Sequence, residues 1–141
     1  MSDRIFEFRI WNKKYNTWMN HCAIIDCSGN IGNHYIEVCD NGQKIEHVVG
    51  LSKEENIIQQ FTGLKDNNDK EIYEGDILTL EDKKNYQVFF DRGCFMITFD
   101  NGNDLPLLTF VEGKRCEIVG NIFENSDLLS KGSIFNTTNL N

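Results

Sequence analysis

The chain has 141 residues, 40% apolar and 26% charged, which is an ordinary globular balance for one domain or two very small ones. Such a length buries roughly two-thirds of the unfolded surface, so folding requires neither disulfide nor metal. A net charge of -8, with no Lys/Arg run longer than Lys13-Lys14, Lys83-Lys84 or Lys114-Arg115, weighs against nucleic acid and anionic membranes as partners. The five cysteines (Cys22, Cys27, Cys39, Cys94, Cys116) are odd in number and lack a Cys-x-x-Cys pair, which fits free thiols in a reducing cytoplasm. No apolar stretch approaches the ~20 residues of a membrane span, and the N-terminus lacks a signal-peptide core.

Arg4–Trp11 alternates apolar and polar residues, which predicts a strand with Phe6, Phe8 and Ile10 on one face and Glu7, Arg9 and Trp11 on the other. Residues 12–16 read as a turn and Thr17–Asp26 as the returning strand. Residues 27–33 read as a loop, followed by a strand over His34–Asp40. Asn41-Gly42 is a hairpin signal, and Gln43–Gly50 returns. Ser52 with Glu55 predicts a single capped helical turn. Ile57–Leu64 is a strand, Lys65–Asp69 a turn, and Glu71–Glu81 an extended run interrupted by Gly75. Strands follow over Tyr86–Asp91, Cys94–Asp100 and Cys116–Glu124, and residues 125–129 read as a short helical turn. Leu105–Val111 fits a strand or a short helix after Pro106. Short strands between turns at intervals of about 8–12 residues favour a sandwich or small barrel.

His21, Cys22, Cys27, His34 and Cys39 are zinc-type ligands, but their spacing is poor, and strand geometry turns His21 and Cys22 to opposite faces. Cys94 and Cys116 sit in apolar strand-like runs without a nearby base, which suits buried thiols rather than nucleophiles. The acidic group Asp66, Asp69, Glu71, Glu74 and Asp76 lacks the glycine and glutamate of a calcium loop and reads as a solvated turn. No catalytic residue, cofactor or metal is therefore assigned. Trp11, Trp18 and Tyr35 are the candidate interface residues, since Trp and Tyr are enriched at binding hot spots.

Three segments together resemble the YopX protein family, small proteins encoded by phages and prophages. These are Phe6–Met19 (FEFRIWNKKYNTWM), Gln60–Leu78 (QFTGLKDNNDKEIYEGDIL) and Glu117–Leu129 (EIVGNIFENSDLL). Asp69 stands where the family usually has glycine, and Ser126 where it usually has proline. The resemblance implies an all-β fold with a small SH3-like barrel in the second half, residence in the host cytoplasm, and no established catalytic residues. Its motif positions Thr62, Gly63, Leu64, Asp66, Ile72, Tyr73, Glu74, Gly75, Asp76, Gly120 and Asn121 carry over as a structural signature.

The expectation is thus a mostly β protein with little helix, comprising N-terminal hairpins over residues 1–56, an SH3-like β-barrel over 57–129 and a polar tail over 130–141, together one compact unit. Its expected function is that of a non-catalytic phage or prophage accessory protein acting through protein–protein contacts, as a homo-oligomer or with a host or phage protein. The alternative is a nucleic-acid-binding small-barrel module, which rests on fold analogy alone and runs against the charge.

Overall fold

The computed structural model describes residues 6–19, 23–99, 101–112 and 115–129; His21, Cys22 and the tail lie outside them. The architecture is mostly β, with antiparallel sheets, a curled half-barrel and little helix. Arg9–Ile58 make one compact unit; Met1–Phe8 and Gln59–Asn141 make the other.

In the first unit, β1 (Phe8–Asn12) and β2 (Thr17–Trp18) form a hairpin with Trp11 opposite Trp18. Asn16 takes a left-handed φ of 48° in the turn, a conformation asparagine tolerates, and the Asn12 side chain accepts the Tyr15 N–H. The expected division of faces does not hold. Phe6 and Phe8 are exposed, while Ile10 and Trp11 are both buried, so β1 is covered on both sides at its C-terminal end. The predicted strand over Thr17–Asp26 is likewise broken, with β2 ending at Trp18 and β3 confined to Ala23–Ile25.

β4 (Ile31–Val38) pairs with β3 on one side and β5 (Lys44–Leu51) on the other. It begins earlier than the glycines and asparagines of residues 27–33 suggest. The Asp26 carboxylate accepts N–H bonds from Ser28 and Asn30 and a bond from the Asn30 side chain, so the turn closes within four residues. Those bonds, the Asn30 side chain foremost, hold the Asp26 carboxyl below its ordinary pKa. At the other end Cys39 N–H donates to the Gln43 carbonyl, and Gly42 has φ 81°. Ser52 Oγ caps the Glu54 N–H rather than reaching Glu55, and the segment makes one turn without becoming a helix.

β6 (Asn56–Lys65) belongs to the second unit from Gln59 onward, where it pairs with β7 (Glu71–Tyr73). β8 (Asp76–Leu80) is flanked by β9 (Asn85–Gln87) and β13 (Cys116–Asn121), while β10 (Phe89–Asp91), β11 (Cys94–Thr98) and β12 (Asp104–Pro106) form a third sheet. The run predicted as one strand over Tyr86–Asp91 divides at Val88, whose N–H and carbonyl are taken by Asp76 and Gly75. Leu105–Val111 is both of the structures its sequence allowed: β12 ends at Pro106, and the short helix α1 spans Leu108–Val111. Ser126–Leu128 is a single 3-10 turn.

The core of this unit is built around β8, which is buried on both faces. Leu78 and Leu80 pack with Ile72, Tyr86, Val88, Ile97, Leu107 and Cys116. Ile77 points the other way, against Ile122 and Leu129. Alternating side chains of one strand thus serve two clusters, which is why its sequence DILTL reads as nearly continuous apolar residues.

Candidate functional site

The signature residues all lie in the second unit, where they form one hydrogen-bonded junction around β6, β7, β8 and β13. Thr62 opens it. Its hydroxyl donates to the Ile72 carbonyl at 2.7 Å and accepts the Leu64 N–H at 3.2 Å. Between the pairs Phe61–Tyr73 and Lys65–Glu71, β6 spends three residues against one of β7. Gly63, at φ 81°, accommodates that bulge, and the Thr62 hydroxyl replaces a missing rung of the ladder.

Asp66 is buried at the head of the following turn. One carboxylate oxygen accepts the N–H of Asn68 at 2.8 Å and of Lys70 at 3.0 Å. The other accepts the N–H of Ile118 at 3.0 Å, so the turn is bound to β13, and Asn67 N–H donates to the Cys116 carbonyl. Asp69 takes φ 60°, the left-handed position at which a glycine would be unstrained.

Gly75 and Asp76 form the second bend. Gly75 has φ 82°, and a Cβ there would lie 2.0 Å from Gln59 Nε2. Its N–H donates to Val88 and its carbonyl accepts from Ile122. The Asp76 carboxylate accepts the Tyr73 N–H at 2.8 Å, and Asp76 pairs with Asn121 across β8 and β13. Asn121 in turn accepts the N–H groups of Phe123 and Glu124 and donates to the Glu124 carboxylate. At Gly120 a Cβ would meet the Asn125 side chain at 2.5 Å. Glu74 N–H donates to Gln60, and the Tyr73 hydroxyl donates to Glu7 and Glu71. Partial burial and those two carboxylates push the Tyr73 hydroxyl up to about 12.

The buried carboxylates of Asp66 and Asp76 accept backbone N–H bonds at bends, while Asp69 and Glu71 face solvent. Burial, with a smaller contribution from Asp66, raises the Cys116 thiol to about 11, which keeps it protonated and poorly nucleophilic. Among the described residues no group of three His, Cys, Asp or Glu side chains is placed to hold a metal ion. Nor is any described helix long and apolar enough to cross a membrane. A shallow pocket of about 210 Å³ is lined by Leu80, Glu81, Asp82, Phe99, Phe110 and Arg115. Its Asp82 is committed to the Tyr86 hydroxyl and the Lys84 N–H.

The candidate interface residues do not form one patch. Trp11 is only 5% exposed, a core residue packed edge-to-face with Trp18 at 5.0 Å, and the Arg9 guanidinium lies over the Trp18 ring. Tyr35 is exposed on β4 and stacks on His47. The burial of Trp11 corrects its reading as a displayed anchor: the strand that carries it is covered on both faces at its C-terminal end.

What sequence reasoning missed is the surface around Tyr35. Ile36, Val38, Ile45, Val48 and Val49 are also exposed, so the β4–β5 hairpin shows apolar side chains on both faces. Residues directly opposite share a face, which places Tyr35, Ile45 and Val49 on one side and Ile36, Val38 and Val48 on the other. The signal was present as adjacent apolar pairs, Tyr35-Ile36 and Val48-Val49, in strands that a one-sided sheet would alternate more strictly.

Among solved structures, the crystal structure of protein EF1440 from Enterococcus faecalis matches with 24% identity and a TM-score of 0.61, covering 91% of this chain and 100% of that one. Protein yopX from Bacillus subtilis matches with 18% identity and a TM-score of 0.60, covering 87% and 97% respectively. These likenesses show the fold. No curated protein matches the chain. The junction of Thr62–Asp76 with Gly120-Asn121 falls wholly within residues 7–130, over which the chain matches the family model described as YopX protein, and the chain belongs to that family.

Proposed function

We propose that the protein is a non-catalytic accessory protein of phage or prophage origin, working in the host cytoplasm through protein–protein contacts and assembling with copies of itself. The observation that carries this reading is the β4–β5 hairpin, eight residues in each strand, with apolar side chains exposed on both faces. Contiguous apolar surface on a small protein marks a contact site. The non-catalytic part is supported by the commitment of the buried carboxylates and the Cys116 thiol to the fold. The origin and compartment are supported by the family resemblance and the cysteine usage.

Sedimentation velocity over a range of loading concentrations tests the reading. A species heavier than the 16.3 kDa monomer, growing with concentration, is expected. A monomer at every concentration, together with retention on DNA or RNA at low salt, would replace it with the nucleic-acid alternative.

A further inference from the structure

We infer that two copies of this chain join through the open edge of β5, which pairs antiparallel with β5 of the second copy about a two-fold axis centred on Val48. The inference rests on the self-association proposed above and names the surface that performs it.

Among the described residues β5 ends its sheet, since the strand order is β3-β4-β5. Its register against β4 runs without a bulge from Lys44 to Leu51. Which backbone groups face outward follows from the turn. Cys39 N–H bonds the Gln43 carbonyl at 2.8 Å, and bonded pairs alternate along an antiparallel ladder. Glu37–Ile45, Tyr35–His47 and Asn33–Val49 are therefore the bonded pairs. Lys44, Glu46, Val48 and Gly50 turn their N–H and C=O groups to the opposite side, along the edge.

Natural edge strands of this length are guarded by proline, bulges or inward charges. β5 has no proline and no bulge, and its charged residues are Lys44 at the first position and Glu46, which lies 3.9 Å from the His34 ring. Such an edge is a template for another strand.

The sequence KIEHVVGL selects itself as that strand. A two-fold axis perpendicular to the sheet continues each face into the same face of the second copy. Centring on Glu46 would set two carboxylates opposite one another, and centring on His47 would set them on a diagonal. Centring on Val48 sets Val48 opposite Val48, Ile45 opposite Leu51, His47 opposite Val49, and Glu46 opposite Gly50. Like charges then nowhere face each other, and apolar pairs form on both sides of the sheet. Gly50 offers Glu46 room, because nothing lies within 4 Å of the Cβ position there. The pairing at Glu46, Val48 and Gly50 adds about six hydrogen bonds.

The test is Val48→Pro in the full chain, compared with wild type by light scattering and circular dichroism. Proline at 48 removes an outward N–H and leaves the ladder to β4 intact. Wild type is expected to dimerise, and Val48→Pro to weaken dimerisation by at least about tenfold with its strand signal kept. A Val48→Pro protein that dimerises as well as wild type overturns the β5 pairing and leaves self-association standing. A wild type that stays monomeric overturns both. Should Val48→Pro fail to fold, Val48→Cys answers the question: oxidation is expected to give covalent dimer in excess of wild type, and no excess rejects the pairing.

Discussion

Two glycines of the signature separate strain from collision. Gly63 and Gly75 both have φ near 80°, but a Cβ at Gly63 meets nothing within 4 Å, whereas at Gly75 it strikes Gln59. Gly63→Ala should therefore cost about 1 kcal/mol, the penalty of a left-handed non-glycine residue. Gly75→Ala should cost more, about 3 kcal/mol or above, because strain and overpacking add there. Urea titrations of the two variants measure the difference, and equal losses would contradict the junction geometry. Asp66→Ala strands three backbone N–H groups and should cost about 2–3 kcal/mol in the same measurement, as for bonds to a charged acceptor. The two raised pKa values set a direction with pH. Cys116 rises from 9.0 to about 11 and Tyr73 from 10.0 to about 12. In both cases the folded state prefers the proton, so the stability they contribute is complete below pH 9.0 and is lost as pH climbs toward 11 and 12. The urea midpoint should drop from pH 8 to about pH 10.5, and Tyr73→Phe with Cys116→Ala should flatten that drop.

At the level of elements, β8 and the β4–β5 hairpin are opposites. β8 is short and buried on both faces, while the hairpin strands are longer and largely exposed. Leu78→Ala should cost about 2–5 kcal/mol as a large-to-small change in a filled core, whereas Ile36→Lys on the hairpin should leave the melting temperature nearly unchanged. Differential scanning calorimetry of both variants checks the contrast. The sequence made the strands and turns legible wherever local chemistry decides them: Asn12–Asn16, Asn41-Gly42, Lys65–Asp69 and the interruption at Gly75. It did not reveal which faces are covered. Period two marks a strand, but the burial of Trp11 and the exposure of Phe8 depend on neighbours far away in the chain. The break at Val88 was equally hidden, because the groups that capture its backbone lie at Gly75 and Asp76.

For the whole molecule, the signature and the β4–β5 hairpin fall in different units. Most signature residues are strung closely along the chain from Thr62 to Asp76, which made the motif legible, while Gly120 and Asn121 lie apart on β13. The exposed apolar surface of the hairpin was not legible, since Tyr35 was its only recognised member and the rest are aliphatic residues that look like core until their exposure is seen. Net charge of -8 opposes association between copies, so moderate salt should strengthen assembly rather than dissolve it, which sedimentation in increasing NaCl would show. On the function proposed above, the signature builds the fold and the β4–β5 hairpin makes the contacts. Hydrogen–deuterium exchange read by mass spectrometry at low and high protein concentration tests it most directly. Higher concentration is expected to slow exchange in peptides covering Lys44–Leu51 and to leave Gln60–Leu78 unchanged; slowing confined to Gln60–Leu78, or none anywhere, would overturn that assignment.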